Sequence, residues 1–154
     1  MKRACAIALL ATLAACTRDF HLAGSITVAG HVQSRVPKTN SVLFIVAKNS
    51  GGVPVAVRRI VNPQFPVSYK LGPEDLIVPG QTPKGPLSLE VEMNTHGNVG
   101  APVKGDLRGE SPDKVTAGES GVHVVIDKIV EPAAVKSFTP KAQNRPPQAP
   151  AKKS

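Results

Sequence analysis

Side chains that could bind a metal ion are few in this chain of 154 residues. His96 follows Met93 by three residues, and this pair, joined by His31 or His123, would offer copper a set of nitrogen and sulfur ligands. The competing interpretation is structural. On a strand, a spacing of three places Met93 and His96 on opposite faces, and residues 94–97 have the composition of a hairpin turn. We therefore predict neither a metal site nor a cofactor.

Nucleophilic catalysis also lacks its usual signature. The chain has no Gly-x-Ser-x-Gly motif, and the sequence places no acidic residue beside a particular histidine. Arg58 and Arg59 lie in a predicted strand, so their side chains should point to opposite faces. One of them could line a groove or pair with Asp106, and the alternative is a solvated surface arginine. We predict that the protein is not an enzyme.

A cysteine near the N terminus has a different chemistry, because it follows a secretion signal. Lys2 and Arg3 precede an apolar run over residues 4–13, and Leu-Ala-Ala stands directly before Cys16. This order resembles the bacterial lipobox, in which the thiol receives a diacylglycerol and the peptidase then cuts before it. The resemblance implies a lipoprotein signal peptide over 1–15, lipidation of Cys16 with acyl chains such as palmitate, and a lipidated tether over 16–21. The alternative is a soluble secreted protein.

Lipidation would leave the mature protein without a reactive thiol, since the other cysteine, Cys5, lies in the predicted signal peptide. This excludes a disulfide framework and thiol-based chemistry. Acyl chains attach a protein firmly to a membrane. Thr17 follows the cysteine, whereas Asp at this position is the usual signal for retention in the inner membrane of enteric bacteria. We expect a lipid-anchored protein of the bacterial envelope that faces the periplasm, with the outer membrane favoured.

Most of the net charge of +8 lies outside the patterned part of the chain. Residues 132–154 carry five basic residues, five prolines and no acidic residue, which predicts a disordered, basic, Pro-rich tail. The patterned region, residues 20–131, has a charge near +1 and few aromatic residues, which argues against nucleic-acid binding. The tail is either a solubilising end or a contact to anionic envelope polymers or lipid phosphates.

Residues 22–131 have the period of β-strands. Residues 41–48 form a continuous apolar run, expected of a central strand that is covered on both faces, and residues 53–61 complete a hairpin around a Gly-Gly turn, with three valines, at 53, 55 and 57, on one face. Over residues 87–93 the odd positions should face a core, whereas Ser88, Glu90 and Glu92 should face water. Further strands are predicted at 24–32, 66–71 and 121–130.

Short strands separated by Gly and Pro turns define the expected fold. The pattern predicts an all-β domain, a small antiparallel β-sandwich of about seven strands that is immunoglobulin-like or a partly open barrel. Residues 22–131 should form this domain.

Three segments and the last predicted strand follow one another in a characteristic order. They are Val42-Leu-Phe-Ile-Val-Ala-Lys48, then Gly51-Gly-Val-Pro-Val-Ala-Val-Arg58, then Gly105-Asp-Leu-Arg-Gly109, and a strand that contains Ile126-Asp127. In this order and spacing they resemble the C-terminal periplasmic domain of the CcmI family of cytochrome c-type biogenesis proteins, over about residues 24–130. The resemblance implies a β-sandwich that binds heme-free apocytochrome c, as a chaperone, and helps to present it for heme attachment.

The matching motif positions give Lys48, Pro54, Arg58 and Asp106 as candidate client contacts. The implied partners are apocytochrome c or heme lyase components, and the lipid anchor would replace the membrane-spanning helices that accompany the domain in that family. The alternative is a structural envelope lipoprotein that supports a larger complex, with its basic tail against anionic envelope polymers.

Overall fold

The computed structural model describes residues 19–131, which form seven β-strands and two 3₁₀-helical turns, Gln33–Arg35 and Pro73–Asp75. The predicted signal peptide (1–15), Cys16 with most of its tether (16–21) and the predicted tail (132–154) lie outside the described residues. No helix within 19–131 is long and apolar enough to cross a membrane. In chain order the strands are β1 (Leu22–Val28), β2 (Val42–Lys48), β3 (Pro54–Val61), β4 (Val67–Leu71), β5 (Ser88–Asn94), β6 (Leu107–Glu110) and β7 (Val122–Ile129).

All seven strands belong to one sheet, in the order β3-β2-β5-β6-β7-β1-β4. Neighbouring strands are antiparallel except for β1 and β7, which run parallel. The sequence pattern did not indicate this parallel pairing. The sheet curls until its edge strands β3 and β4 approach each other, so that it is nearly closed. The predicted all-β, immunoglobulin-like fold of about seven strands is confirmed.

The inner face of the curled sheet encloses one hydrophobic core. The odd positions of β5 are fully buried, as predicted, and β2 is buried on both faces. Such a core stabilises the domain through the apolar area that it removes from water. Its largest fully buried side chains are Phe20, Leu22, Ile26, Leu43, Ile45, Leu71, Leu87, Leu89, Met93, Leu107 and Ile126.

A β-bulge in the β2–β3 hairpin changes the face of the sheet to which side chains at the start of β3 point. The register shifts between Ala47 and Lys48, so that Lys48 pairs with Pro54. Val53 is left exposed, Val55 packs against the main core, and Val57 packs against a second apolar cluster on the outer face. The prediction that these three valines share one face is therefore wrong, because a bulge interrupts strand alternation.

The gap between the edge strands β3 and β4 is bridged by Arg58. Its register opposite Ile45 places it on the inner side of β3, facing β4. The guanidinium donates to the carbonyl of Lys70, and it lies 3.5 Å from a carboxylate oxygen of Asp75 and 3.7 Å from one of Glu74. Of the possibilities that the sequence left open for the two arginines, a pairing with Asp106 does not apply to Arg58, since the carboxylates after β4 are the ones within its reach.

The bridge across the edges should matter for stability. Replacing Arg58→Ala removes the donor to Lys70 and both ion pairs, so we expect the free energy of unfolding to fall by about 1–3 kcal/mol. Arg59→Ala is the matched control, because Arg59 is exposed on the other face of the same strand and should change stability by less than about 0.5 kcal/mol. Urea unfolding measures both. Equal stability of the two variants would contradict the bridging role.

The single tyrosine of the chain reports on the core by its ionisation. The Tyr69 hydroxyl donates to the Val122 carbonyl at 3.1 Å, and burial, aided by the charge of Glu119, raises the pKa of Tyr69 to about 12. Ultraviolet difference absorbance should therefore show a midpoint near pH 12 in the folded protein and about 10 in denaturant.

The raised pKa means that the folded state favours the neutral Tyr69 hydroxyl. The contribution of this hydroxyl to the free energy of unfolding is therefore complete below about pH 10. It should be lost as the pH rises towards 12, by about 2–3 kcal/mol. Tyr69→Phe should lack this part of the alkaline destabilisation. A folded-state midpoint at about pH 10, the ordinary value of tyrosine, would refute the assigned environment.

Candidate functional site

A groove of about 350 Å³ lies on the outer face of the sheet, across β3, β2, β5 and β6. We call it the outer groove. Its apolar lining comes from β2, from β3, from the loop between β5 and β6 and from the segment after β4, with Val46, Pro54, Val57, Val99 and Ile77. Charged side chains from β2, β5 and β6 stand beside them. The combination suits a ligand that has both apolar and polar groups, such as a peptide.

The apolar lining exists because β2 has apolar side chains on both faces. Its outward residues Val42, Phe44 and Val46 pack with Val57 in the second cluster, although outward positions of a sheet at the surface are commonly polar. The loop over residues 95–106 folds back over this face and brings Val99 into the groove. The groove is thus formed by the strand pattern together with one loop.

Three charged residues from three strands form the polar side of the outer groove. One carboxylate oxygen of Glu90 accepts from the Lys48 ammonium at 2.6 Å and from the Arg108 guanidinium at 3.0 Å. All three side chains are partly exposed. Two cations share one carboxylate oxygen here. The carboxylate of Glu92 also lines the groove, so the formal charges of the lining balance, but an ammonium and a guanidinium have more donors than Glu90 uses. A carbonyl or an acidic side chain of a ligand could accept from them.

A second polar cluster lies where the loop over 95–106 leaves the sheet. Asp106 accepts from the Val103 amide at 2.6 Å and lies 3.0 Å from the His96 ring. The Asn94 side chain bonds to the backbone at the far end of the turn that follows it, accepting from the Gly97 amide at 2.9 Å and donating to the Asn98 carbonyl at 2.8 Å. These contacts tie both ends of the loop together, so Asp106 acts on the groove by positioning its loop.

Glu92 belongs to the same cluster and is only 4% exposed. The prediction that it faces water is wrong, because the loop covers the outer side of β5 at this point. Its carboxylate accepts from the Asn94 amide at 3.1 Å. From the sequence, no acidic residue could be placed beside a particular histidine. In the structure, the carboxylate of Asp106 lies beside the ring of His96. The ten residues that separate them fold into a loop that no strand pattern describes.

Ligand atoms of Glu92, His96 and Asp106 lie within 4.8 Å of one another, which is close enough to consider a divalent cation. The hydrogen bonds favour another arrangement. Nδ1 of His96 lies 3.2 Å from the Asn98 amide and accepts from it, so Nε2 carries the proton and donates to Asp106. A protonated Nε2 does not ligate a metal. The side chain of Met93 points away into the main core, as its spacing from His96 predicted.

The four predicted contact residues separate into two groups. Lys48 and Pro54 are register partners and both line the outer groove. Arg58 bridges the sheet edges and Asp106 anchors the loop, and neither lines this groove. Their role as client contacts stays a prediction.

The sequence analysis did not select three groove residues, Glu90, Arg108 and Val99. Arg108 was detectable, because it lies in the matched Gly-Asp-Leu-Arg-Gly motif. Glu90 and Val99 had no such signal. The alternation of β5 predicted only that Glu90 points outward, and Val99 lies in an irregular loop.

The nearly closed sheet around a single core is that of an immunoglobulin-like β-domain, with a groove on its outer face. Residues 22–127 match the family model described as the cytochrome c-type biogenesis protein H Ig-like domain, and the chain belongs to this family. The predicted relationship to a cytochrome c-type biogenesis domain is confirmed. The family gives the chain a role in c-type cytochrome biogenesis, with protein partners in that system.

The chain is also similar to a relative over most of its length. The chain is 30% identical over 112 residues to an uncharacterized protein of Aquifex aeolicus (strain VF5), covering 72% of this chain and 73% of that protein. No solved structure matches the chain significantly.

The role of Asp106 as a positioning residue can be tested through the loop. Asp106→Ala removes the acceptor of the Val103 amide and of His96, so we expect a stability loss of about 1–3 kcal/mol and faster amide hydrogen exchange over residues 95–106. Amide hydrogens of the core strands should keep the same order of exchange rates among themselves as in the unchanged protein. Asp127→Ala is the control, since Asp127 is an exposed aspartate on β7. Unchanged exchange in the loop would show that the cluster does not hold it.

Proposed function

We propose that this domain is a non-catalytic periplasmic module that binds heme-free cytochrome c polypeptide in its outer groove. The observation that carries the proposal is an apolar groove, with the cationic donors of Lys48 and Arg108 beside it, on a domain of a c-type cytochrome biogenesis family. Two of the contact residues predicted from the sequence, Lys48 and Pro54, line that groove. The groove binds and orients a polypeptide, and heme attachment is left to other proteins.

The chemistry of the groove fits an unfolded client better than a folded one. An unfolded chain exposes apolar side chains that a folded protein buries, and these can pack against Val46, Val57 and Val99. Its backbone carbonyls and acidic side chains can accept from Lys48 and Arg108, which have only Glu90 between them. A folded, heme-loaded cytochrome does not present these apolar side chains and acceptors along an extended segment.

The second part of the proposal is a lipid anchor at Cys16 that holds the domain in the bacterial envelope, facing the periplasm. It is supported by the lipobox-like order Leu-Ala-Ala-Cys after a basic and apolar leader. Thr17 favours the outer membrane. The anchor confines the domain to a membrane surface and so raises its local concentration toward clients that emerge there.

Calorimetry with the host's own c-type cytochromes tests client binding. The chain from residue 16, with Cys16→Ser, should bind the heme-free form with a dissociation constant of about 1 μM or lower and the heme-loaded form at least about tenfold more weakly. Val99→Asp should weaken binding at least about tenfold, because it places a charge in the apolar lining. Val125→Asp is the matched control, since Val125 is an exposed valine on β7 outside the groove.

Two outcomes would contradict the proposal. Equal binding of the heme-free and heme-loaded forms would remove selectivity for an unfolded client. Absence of binding to either form by a folded protein would favour the structural envelope lipoprotein, in which the domain supports a larger complex.

A further inference from the structure

We infer that one end of the domain, which we call the base, rests in the surface of the bilayer that carries the lipid anchor. The base is defined by Val53, Ile77 and Val78, which are 57%, 52% and 53% exposed and line one groove of about 530 Å³. Exposed apolar side chains that share a surface mark a contact site for a protein or a membrane. The inference rests on the lipid anchor of the proposed function and adds the surface that meets the lipid.

The topology brings the N-terminal end of the described chain to the base. Leu22, the first residue of β1, pairs with Leu71, the last residue of β4. The loop that follows β4 begins beside residues 19–21, with which it lines a shallow groove. A few residues further on, this loop contains Ile77 and Val78. The chain therefore enters the domain next to the segment that carries the exposed apolar residues.

The apolar residues are fixed to the sheet and hence to this entry point. Leu76 forms a β-bridge with Ala56 at the start of β3, and the Ile77 amide donates to the Val55 carbonyl at 3.0 Å. Val53 lies in the hairpin turn directly before β3. The base is thus one rigid part of the domain.

The length of the tether limits how far the base can stand from the bilayer. Three residues beyond the lipidated Cys16 the chain reaches Asp19, and a chain segment of this length spans at most about 10 Å. A lipidated cysteine lies at the membrane interface, where apolar side chains enter to a depth of about 5–10 Å. Val53, Ile77 and Val78 are then within reach of the boundary between headgroups and acyl chains.

The charges at the base are compatible with a phospholipid surface. Lys84 lines the same groove as Val78, and a lysine near a membrane is attracted to lipid phosphates. Glu74 and Asp75, whose carboxylates phosphates would repel, lie within ion-pair distance of Arg58. An acidic protein would meet the same charges, so the short tether, which keeps the base beside the bilayer, is what favours a bilayer as the occupant.

Single tryptophans can test the inference, because the chain has none of its own. Val78→Trp reports on the base, and Val61→Trp is the matched control. Val61 is 55% exposed, at the far end of β3, on the order of 20 Å from the base along the strand. Both full-length variants are produced with the signal peptide, purified as lipoproteins and reconstituted into vesicles of phosphatidylethanolamine and phosphatidylglycerol.

We expect brominated lipid to quench Val78→Trp at least about threefold more strongly than Val61→Trp, and an aqueous quencher to show the opposite order. The mass of the N-terminal peptide reports lipidation of Cys16 separately. Equal quenching of the two tryptophans in a lipidated protein would overturn the inference and leave the anchor and the client groove standing.

Two further results would also overturn it, and each is distinguishable. A protein without lipid at Cys16 removes the anchor of the proposed function and the inference with it, whereas client binding by the groove would remain. Shielding of Val78→Trp only after addition of heme-free cytochrome, with vesicles having no effect, would assign the base to the client. Val78 lines only the basal groove, but the two grooves share Pro54 and Ile77. The same measurement with Val99→Asp added separates them, because a signal that persists when the outer groove is impaired belongs to the base.

Discussion

Strand β2 must be covered on both faces, and most of the domain can be understood from this requirement. Its inward residues enter the main core, and its outward residues Val42, Phe44 and Val46 need a second cover. A neighbouring strand alone does not supply that cover, so the loop between β5 and β6 folds back over the outer face. This arrangement is stabilised because the loop buries apolar area that would otherwise be exposed to water. The groove proposed to bind the client is the part of the outer face that the loop leaves open.

The loop itself is irregular, and polar contacts hold it where hydrophobic packing is limited. The carboxylate of Asp106, the imidazole of His96 and the amide of Asn94 each satisfy groups of the loop backbone or of one another. Buried polar groups stabilise a single conformation when all of them are paired, and no buried side-chain polar atom within residues 19–131 lacks a partner. Asp106 thus acts on the groove through the conformation of this loop.

Most of the fold could be predicted from the sequence, because strand alternation and Gly and Pro turns are local signals. β5 and β7 follow their apolar pattern closely, whereas β6 has only four residues and was present only as a motif. The site was less accessible. Lys48 and Pro54 come together across the hairpin, but the bulge that aligns them depends on the register of the finished sheet. Arg58, Glu92 and His96 acquire their partners through residues distant in sequence or through an irregular loop, for which alternation gives no information.

The parallel pair of β1 and β7 decides how the domain is placed relative to a membrane. Because the two strands run in the same direction, the described chain begins at the base and ends beyond β7 at the opposite end, on the order of 20 Å away. The pair depends on Gly24, since a β-carbon there would overlap the Val122 carbonyl. An anchor at Cys16 would hold the base against the bilayer, with the outer groove directly beside it, because the basal and outer grooves share Pro54 and Ile77. Residue 131, the last residue that the structure describes, would then lie on the side away from that bilayer.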